Sequence, residues 1–163
     1  IIQEKEGFSL NDLGCGYGAL LDYLNRHYKK FEYAGYDISA EMVSAARKPY
    51  NAVSNARFFK AGSLLDAADY SVASGIFNVR LGYTDKQWGR YVEETLDALD
   101  RSSRCGFAFN CLTSYSDAEK MRDYLYYADP CALFDFCKRR YSSQVALLHD
   151  YGLYEFTLLV RKV

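Results

Sequence analysis

The sequence predicts an α/β fold of three layers: an open, doubly wound, mostly parallel sheet, helices on both faces, and an antiparallel hairpin at the C-terminus. Three observations predict it. Strand-like and helix-like apolar patterns alternate along most of the chain. A run of three spaced glycines, Gly14, Gly16 and Gly18, separates the first strand-like segment from the first helical one. The last apolar residues alternate with partly polar ones behind a turn signal, as in a solvent-facing hairpin.

Phe8 to Leu13 reads as the first strand. Leu20, Leu21, Leu24 and Tyr28 then recur at helical spacing, predicting a helix from about Gly18 to Tyr28. Tyr33 to Asp37 is the second strand. Ser39 is placed to cap the next helix, with Glu41 in its positive first turn and Met42, Val43 and Ala46 on its inner face. Arg57 to Lys60 is the third strand, and Tyr70 to Val79 carries the fourth. Thr84-Asp85-Lys86-Gln87 fits a capping box ahead of the stripe Trp88, Val92, Leu96 and Leu99. Gly106 to Leu112 is the fifth strand. Ser116-Asp117-Ala118-Glu119 fits a second capping box ahead of Met121 and Leu125. Asp129 followed by Pro130 signals a further helix start before Leu133, Phe134 and Cys137. Val145 to Leu148, the turn Asp150-Tyr151-Gly152, and the alternating Tyr154, Phe156, Leu158 and Val160 form the hairpin.

The 163 residues suit one domain, 1–163, with its own core, and no repeat or low-complexity linker divides them. With 50 % apolar residues, 25 % charged residues and a formal charge of −1, the composition is globular and lacks the basic footprint of a nucleic-acid or anionic-membrane binder. No apolar run is long enough to span a bilayer. The 5 cysteines are odd in number and without CxxC spacing, and there are only 2 histidines. The expectation is reduced thiols in a cytoplasmic protein, with no metal site.

The glycines carry the chemistry. In an open parallel sheet, ligands sit beyond the carboxyl ends of the strands, and the first strand-to-helix turn is the usual place. A dinucleotide site favours G-x-G-x-x-G, because a pyrophosphate must reach the helix end. Here the spacing is G-x-G-x-G, with Asp12 two residues ahead of the first glycine. That acid is badly placed beside a pyrophosphate and well placed for an amino group or cation. Asp37, at the tip of the second strand, can accept two hydrogen bonds from a ribose diol. The ligand so described is a nucleoside with an unphosphorylated, amino-bearing tail, which fits S-adenosylmethionine.

The stretches "NDLGCGYG" and "YAGYDIS" together resemble the first two signature motifs of the class I, Rossmann-like S-adenosylmethionine-dependent methyltransferases of small-molecule type. The resemblance extends over the whole strand–helix order. It implies a seven-stranded sheet whose last strand is antiparallel. It implies S-adenosylmethionine as cofactor and S-adenosylhomocysteine as product. It assigns Asp12 and the main chain of Gly14, Cys15, Gly16 and Gly18 to the methionine tail, Asp37 to the ribose, and Ile38 to one face of the adenine. Ser63 stands where the family usually has an acid toward the adenine amine, and Leu64 offers main-chain N–H and an apolar face. Ser74 and Gly75 would border the methionine portion. The segment "ASGIFNV" lacks the Asn/Asp-Pro-Pro-Tyr pattern of enzymes that methylate exocyclic amines of bases. The resemblance also implies helices ahead of the first strand that lid the cofactor. Since the glycines begin thirteen residues in, a lid segment is expected to be lacking.

On the acceptor side, Asn110, Thr113 and Tyr115 follow the fifth strand and either touch the acceptor or close a loop. His149 is the candidate general base, or a hairpin-end histidine with a structural hydrogen bond; Asp150 beside it points to the opposite face of an extended strand. The leading expectation is methyl transfer to a small-molecule oxygen or nitrogen by in-line displacement, driven by positioning. The alternatives are a methyltransferase-like module that binds the cofactor without turnover and, against the glycine spacing, a nicotinamide-dependent oxidoreductase.

Overall fold

A computed structural model, describing residues 1–3, 6–50 and 53–162, contains eight strands and four α-helices: β1 (Phe8–Leu13), α1 (Ala19–His27), β2 (Phe31–Asp37), α2 (Ala40–Tyr50), β3 (Ala56–Lys60), β4 (Ala68–Ala73), α3 (Asp85–Arg101), β5 (Ser103–Thr113), β6 (Tyr127–Ala128), α4 (Pro130–Arg140), β7 (Gln144–Leu148) and β8 (Glu155–Arg161). Seven strands run side by side in the order β3-β2-β1-β4-β5-β8-β7, and the two-residue β6 pairs with β5 off this path. Strands β1 to β5 are mutually parallel, while β8 runs antiparallel to both β5 and β7. The expected parallel sheet with a closing hairpin is what the chain forms, with β6 as an eighth, very short addition.

The alternation of side chains splits the core in two. Phe8 and Leu10 of β1, Phe31 and Tyr33 of β2, and Phe58 of β3 pack under Leu21 and Leu24 of α1 and Val43 and Ala46 of α2. On the other face, Phe107 and Phe109 of β5 and Phe156, Leu158 and Val160 of β8 pack under Val92, Leu96 and Leu99 of α3 and Cys137 of α4. Each such fully buried side chain contributes roughly 1.5–3 kcal/mol by leaving water. Burial on both faces explains why neighbouring strand residues such as Tyr33 and Ala34, which point to opposite sides, are both enclosed.

Helix ends follow local chemistry. The capping box at Thr84 forms: Gln87 N–H donates to Thr84 Oγ1 at 3.3 Å, and the Gln87 side chain accepts from Thr84 N–H at 3.0 Å. Ser39 Oγ accepts from Met42 N–H, and Asp129 Oδ1 accepts from Cys131 and Ala132 N–H groups.

Two local expectations are corrected. The fourth strand ends at Ala73 rather than running to Val79. Gly75 turns the chain at φ +75°, and Val79 then makes only a single bridge to Leu125. The Ser116–Glu119 box starts no α-helix. It yields one 3₁₀ turn, Ala118–Lys120, without a side-chain cap: Ser116, the cap of the box, donates its hydroxyl to the Thr113 carbonyl at 2.7 Å, and Asp117 is engaged by Tyr154 Oη and Lys120 Nζ. Residues 125–128 instead run alongside the 78–79 segment and the end of β5.

Candidate active site

Strand order reverses direction about β1 and β4, whose partners lie on opposite sides, and a crevice forms beyond their carboxyl ends. The glycine loop leaves β1 there. Gly14 and Cys15 N–H groups donate to the Tyr36 carbonyl at 2.7 and 3.0 Å, which pins the loop to β2. Gly14, Gly16 and Gly18 all have positive φ, at 79°, 51° and 83°. Their surroundings differ. A Cβ on Gly14 would lie 2.1 Å from Ile76 Cγ2, and one on Gly18 would lie 3.1 Å from the Tyr50 ring. A Cβ on Gly16 would meet nothing within 4 Å. Two glycines therefore serve packing, and Gly16 faces the open side where a ligand can touch the main chain.

Asp37 stands over this open glycine. Its Oδ2 accepts from Gly16 N–H at 3.0 Å and its Oδ1 accepts from Ser39 N–H at 2.8 Å. The carboxylate is thereby oriented before any ligand arrives, and each oxygen retains a second lone pair. Asp12 lies beneath the loop at 4 % exposure, with Tyr33 Oη donating to its Oδ2 at 2.6 Å. Burial pushes its pKa up to about 6; the Tyr33 hydrogen bond opposes this and the nearby Asp37 charge reinforces it. Two carboxylates thus share one small region, which favours a positively charged ligand. Cys15, buried in the same loop, has its thiol pushed up to about 12 by burial and by these two acids. It is a packing residue with no thiolate character at neutral pH.

The remaining predicted positions surround this point. Ile38 is 76 % exposed, its Cγ2 close beside Gly62. Ser63 is exposed and Leu64 half-buried against the core beside β3. Ser74 and Gly75 are exposed in the turn after β4. Asn110 reaches that turn: its Oδ1 accepts from Gly75 N–H at 2.7 Å. Tyr115 is 68 % exposed and its ring lies 6.0 Å from that of His149, which is exposed in the β7–β8 turn. Thr113 is 2 % exposed, and its Oγ1 accepts from Tyr115 N–H.

Sequence reasoning passed over three residues here. Tyr17 projects from the glycine loop at 63 % exposure. Asn78 and Glu155 join Asn110 in a polar cluster, with Asn78 Nδ2 and Asn110 Nδ2 donating to Glu155 at 3.1 and 2.7 Å. Asn78 was visible in the segment after β4, but Glu155 is distant in sequence and carries no motif. A concavity of about 1260 Å³ opens at the other end of the strands, around Phe8, Lys30 and Phe31, away from Asp37.

A family described as the methyltransferase domain matches residues 11–102, from the end of β1 through α3. The chain belongs to the methyltransferase domain family. It is 64 % identical over 162 residues to Rv1506c of Mycobacterium tuberculosis, whose name places it among the methyltransferases; the match covers 99 % of this chain and 98 % of that protein. Among solved structures, the fold is similar to magnesium protoporphyrin IX methyltransferase of Synechocystis with bound S-adenosylhomocysteine, with TM-score 0.71, 14 % identity, and 98 % and 76 % of the two chains covered. It is also similar to an S-adenosylmethionine-dependent methyltransferase of Aquifex aeolicus, with TM-score 0.64, 19 % identity, and 98 % and 84 % covered. At these identities the structural likeness shows the fold alone. The family and its fold make this an S-adenosylmethionine-dependent methyltransferase with the class I arrangement. Among the described residues, no helix is long and apolar enough to cross a membrane.

Proposed function

We propose that this methyltransferase acts on a small-molecule oxygen or nitrogen, with the cofactor lying across the carboxyl ends of β2, β1 and β4. The observation that carries the reading is the Asp37 carboxylate, held by Gly16 and Ser39 N–H groups over the open face of Gly16. When bound, S-adenosylmethionine supplies an electrophilic methyl on a sulfonium. Asp37 accepts from the ribose hydroxyls, and the Gly14–Gly18 main chain lines the methionine tail, with the Asp12 charge beneath it. Ile38 and Leu64 offer apolar surface to the adenine, with Ser63 at its edge. Ser74 and Gly75 border the methionine end, where transfer takes place.

The acceptor then lies beyond Gly75, between Asn110, Tyr115 and the β7–β8 turn. Its work is mainly positional: ordered groups bring the acceptor atom in line with the methyl and exclude water. His149, exposed beside Tyr115, is the candidate general base at this end. The near-zero charge of the chain supports a small acceptor over a nucleic acid. Its 5 cysteines, odd in number and without CxxC spacing, support a reducing, cytoplasmic setting.

The test is calorimetric titration of S-adenosylhomocysteine into wild type and Asp37→Ala, after thermal melting shows that both fold. Hydrogen bonds to a charged group contribute about 1.5–3 kcal/mol each, so with the loss of even one the variant is expected to bind at least about tenfold more weakly. Equal affinity in the two proteins refutes the assignment. In parallel, saturating S-adenosylhomocysteine is expected to raise the melting temperature while NAD leaves it unchanged; a ligand at about 100 times its Kd adds about 2.7 kcal/mol.

A further inference from the structure

We infer that Glu155 is a positioning residue: its carboxylate fixes the amide orientation of Asn110 and Asn78 and, through Asn110, the main chain of Gly75 at the transfer end of the site. The inference rests on the reading above for what Gly75 borders, but the relay itself is a matter of hydrogen-bond polarity.

Four bonds form one continuous chain. Gly75 N–H donates to Asn110 Oδ1 at 2.7 Å, and Asn110 Nδ2 donates to Glu155 Oε2 at 2.7 Å. Asn78 Nδ2 donates to Glu155 Oε1 at 3.1 Å, and Leu112 N–H donates to Asn78 Oδ1 at 3.2 Å. A carboxylate only accepts, whereas an amide side chain has one accepting end and one donating end. Glu155 at the centre therefore draws both NH₂ groups toward itself. Both amide oxygens are left facing outward, where the N–H groups of Gly75 and Leu112 require acceptors. Glu155 is 77 residues from Asn78 and 45 from Asn110, so the fold alone brings it to them.

The register places the relay at the ligand end. Asn110 lies opposite Thr157 and Leu112 opposite Glu155, so both pairs share one sheet face at the carboxyl end of β5. Asp12, Val72 and Ala108 are successive cross-strand partners on that same face. The relay thus ties the β4 turn, which has no ladder partner at Gly75, to the two strands β5 and β8. With φ +75° and no atoms within 4 Å of a Cβ position, Gly75 has little else to hold it.

The polarity argument predicts a specific rescue. Glu155→Gln keeps the shape but offers one donor and one acceptor, so one asparagine must face it wrongly; if Asn110 turns, its NH₂ meets the Gly75 N–H. Asn110→Asp alone sets two carboxylates against each other. The double variant Glu155→Gln/Asn110→Asp reverses one link and satisfies all four bonds at unchanged net charge. The experiment measures amide hydrogen exchange at Gly75 and Leu112 by NMR in the ligand-free proteins, then S-adenosylhomocysteine affinity by calorimetry. In Glu155→Gln exchange is expected to rise about tenfold at whichever of Gly75 and Leu112 faces the turned amide, and in the double variant both are expected to return toward wild type. Exchange unchanged at both amides in Glu155→Gln, or a double variant no better than the singles, overturns the inference. Asn110→Ala, which removes only the acceptor, is expected to match the single variants and guards against a misfolded Glu155→Gln. Because exchange is read without ligand, failure of S-adenosylhomocysteine to bind wild type would count against the proposed function and leave this test intact.

Discussion

Replacing Asp12 by Asn isolates the electrostatic cost of the site. Asp12 is 4 % exposed and its pKa is raised from 3.8 to about 6, chiefly by burial. This is the reverse of the usual carboxylate case, since the fold disfavours the charged form. Below about pH 4 the carboxyl is protonated in both folded and unfolded chains and contributes nothing. As pH rises through the interval from about 4 to about 6, the unfolded chain loses its proton first, and stability falls. Above about pH 6 the whole penalty is present, about 2 pKa units or about 3 kcal/mol at about 1.4 kcal/mol per unit. Asn keeps the shape and still accepts from Tyr33 but cannot ionise. Whatever fixed cost its amide brings, the stability difference between variant and wild type should therefore move in favour of Asp12→Asn by about 2 kcal/mol between about pH 4.5 and about pH 7.5. Urea melts across that range measure it. A difference that stays flat with pH would show that Asp12 does not titrate in the fold as its burial requires. The same carboxylate links to the ligand. A cation bound beside it lowers its pKa, so S-adenosylhomocysteine binding near about pH 5.5 should release protons in wild type and fewer in the variant, read by calorimetry in buffers of different ionisation heat.

The other predictions follow from packing. Gly16→Ala meets open space but at φ +51°, so it should cost only about 1 kcal/mol of stability while weakening S-adenosylhomocysteine binding at least about tenfold; Gly14→Ala, whose Cβ would fall 2.1 Å from Ile76 Cγ2, should destabilise by more than about 2 kcal/mol in the same urea melts. Leu96, fully buried on the inner face of α3, should cost about 2–5 kcal/mol as Leu96→Ala, with S-adenosylhomocysteine affinity unchanged because the site lies at the strand ends.

The comparison of sequence with structure turns on how far apart interacting residues lie. Periodicity and caps are local, so the helix beginning behind Thr84, the strands β1 and β2, and the C-terminal hairpin were all legible as patterns of neighbouring residues. The Ser116–Glu119 signal misled because Ser116, the cap of the box, turns its hydroxyl back onto the Thr113 carbonyl, while Tyr154, from the far end of the chain, engages Asp117. The end of β4 was overrun because apolar residues continue past Ala73, whereas pairing stops where the chain turns at Gly75.

The sequence alone determined the alternation of strands and helices, the glycine turn and the two acids flanking it, since each is written within a few residues. Tertiary structure alone decided which glycine stays open, that Asp12 is buried against Tyr33, and that Glu155 meets Asn78 and Asn110. Those facts depend on strands β1, β4, β5 and β8 being brought side by side, and loop closure over many tens of residues leaves no mark in any short stretch of sequence.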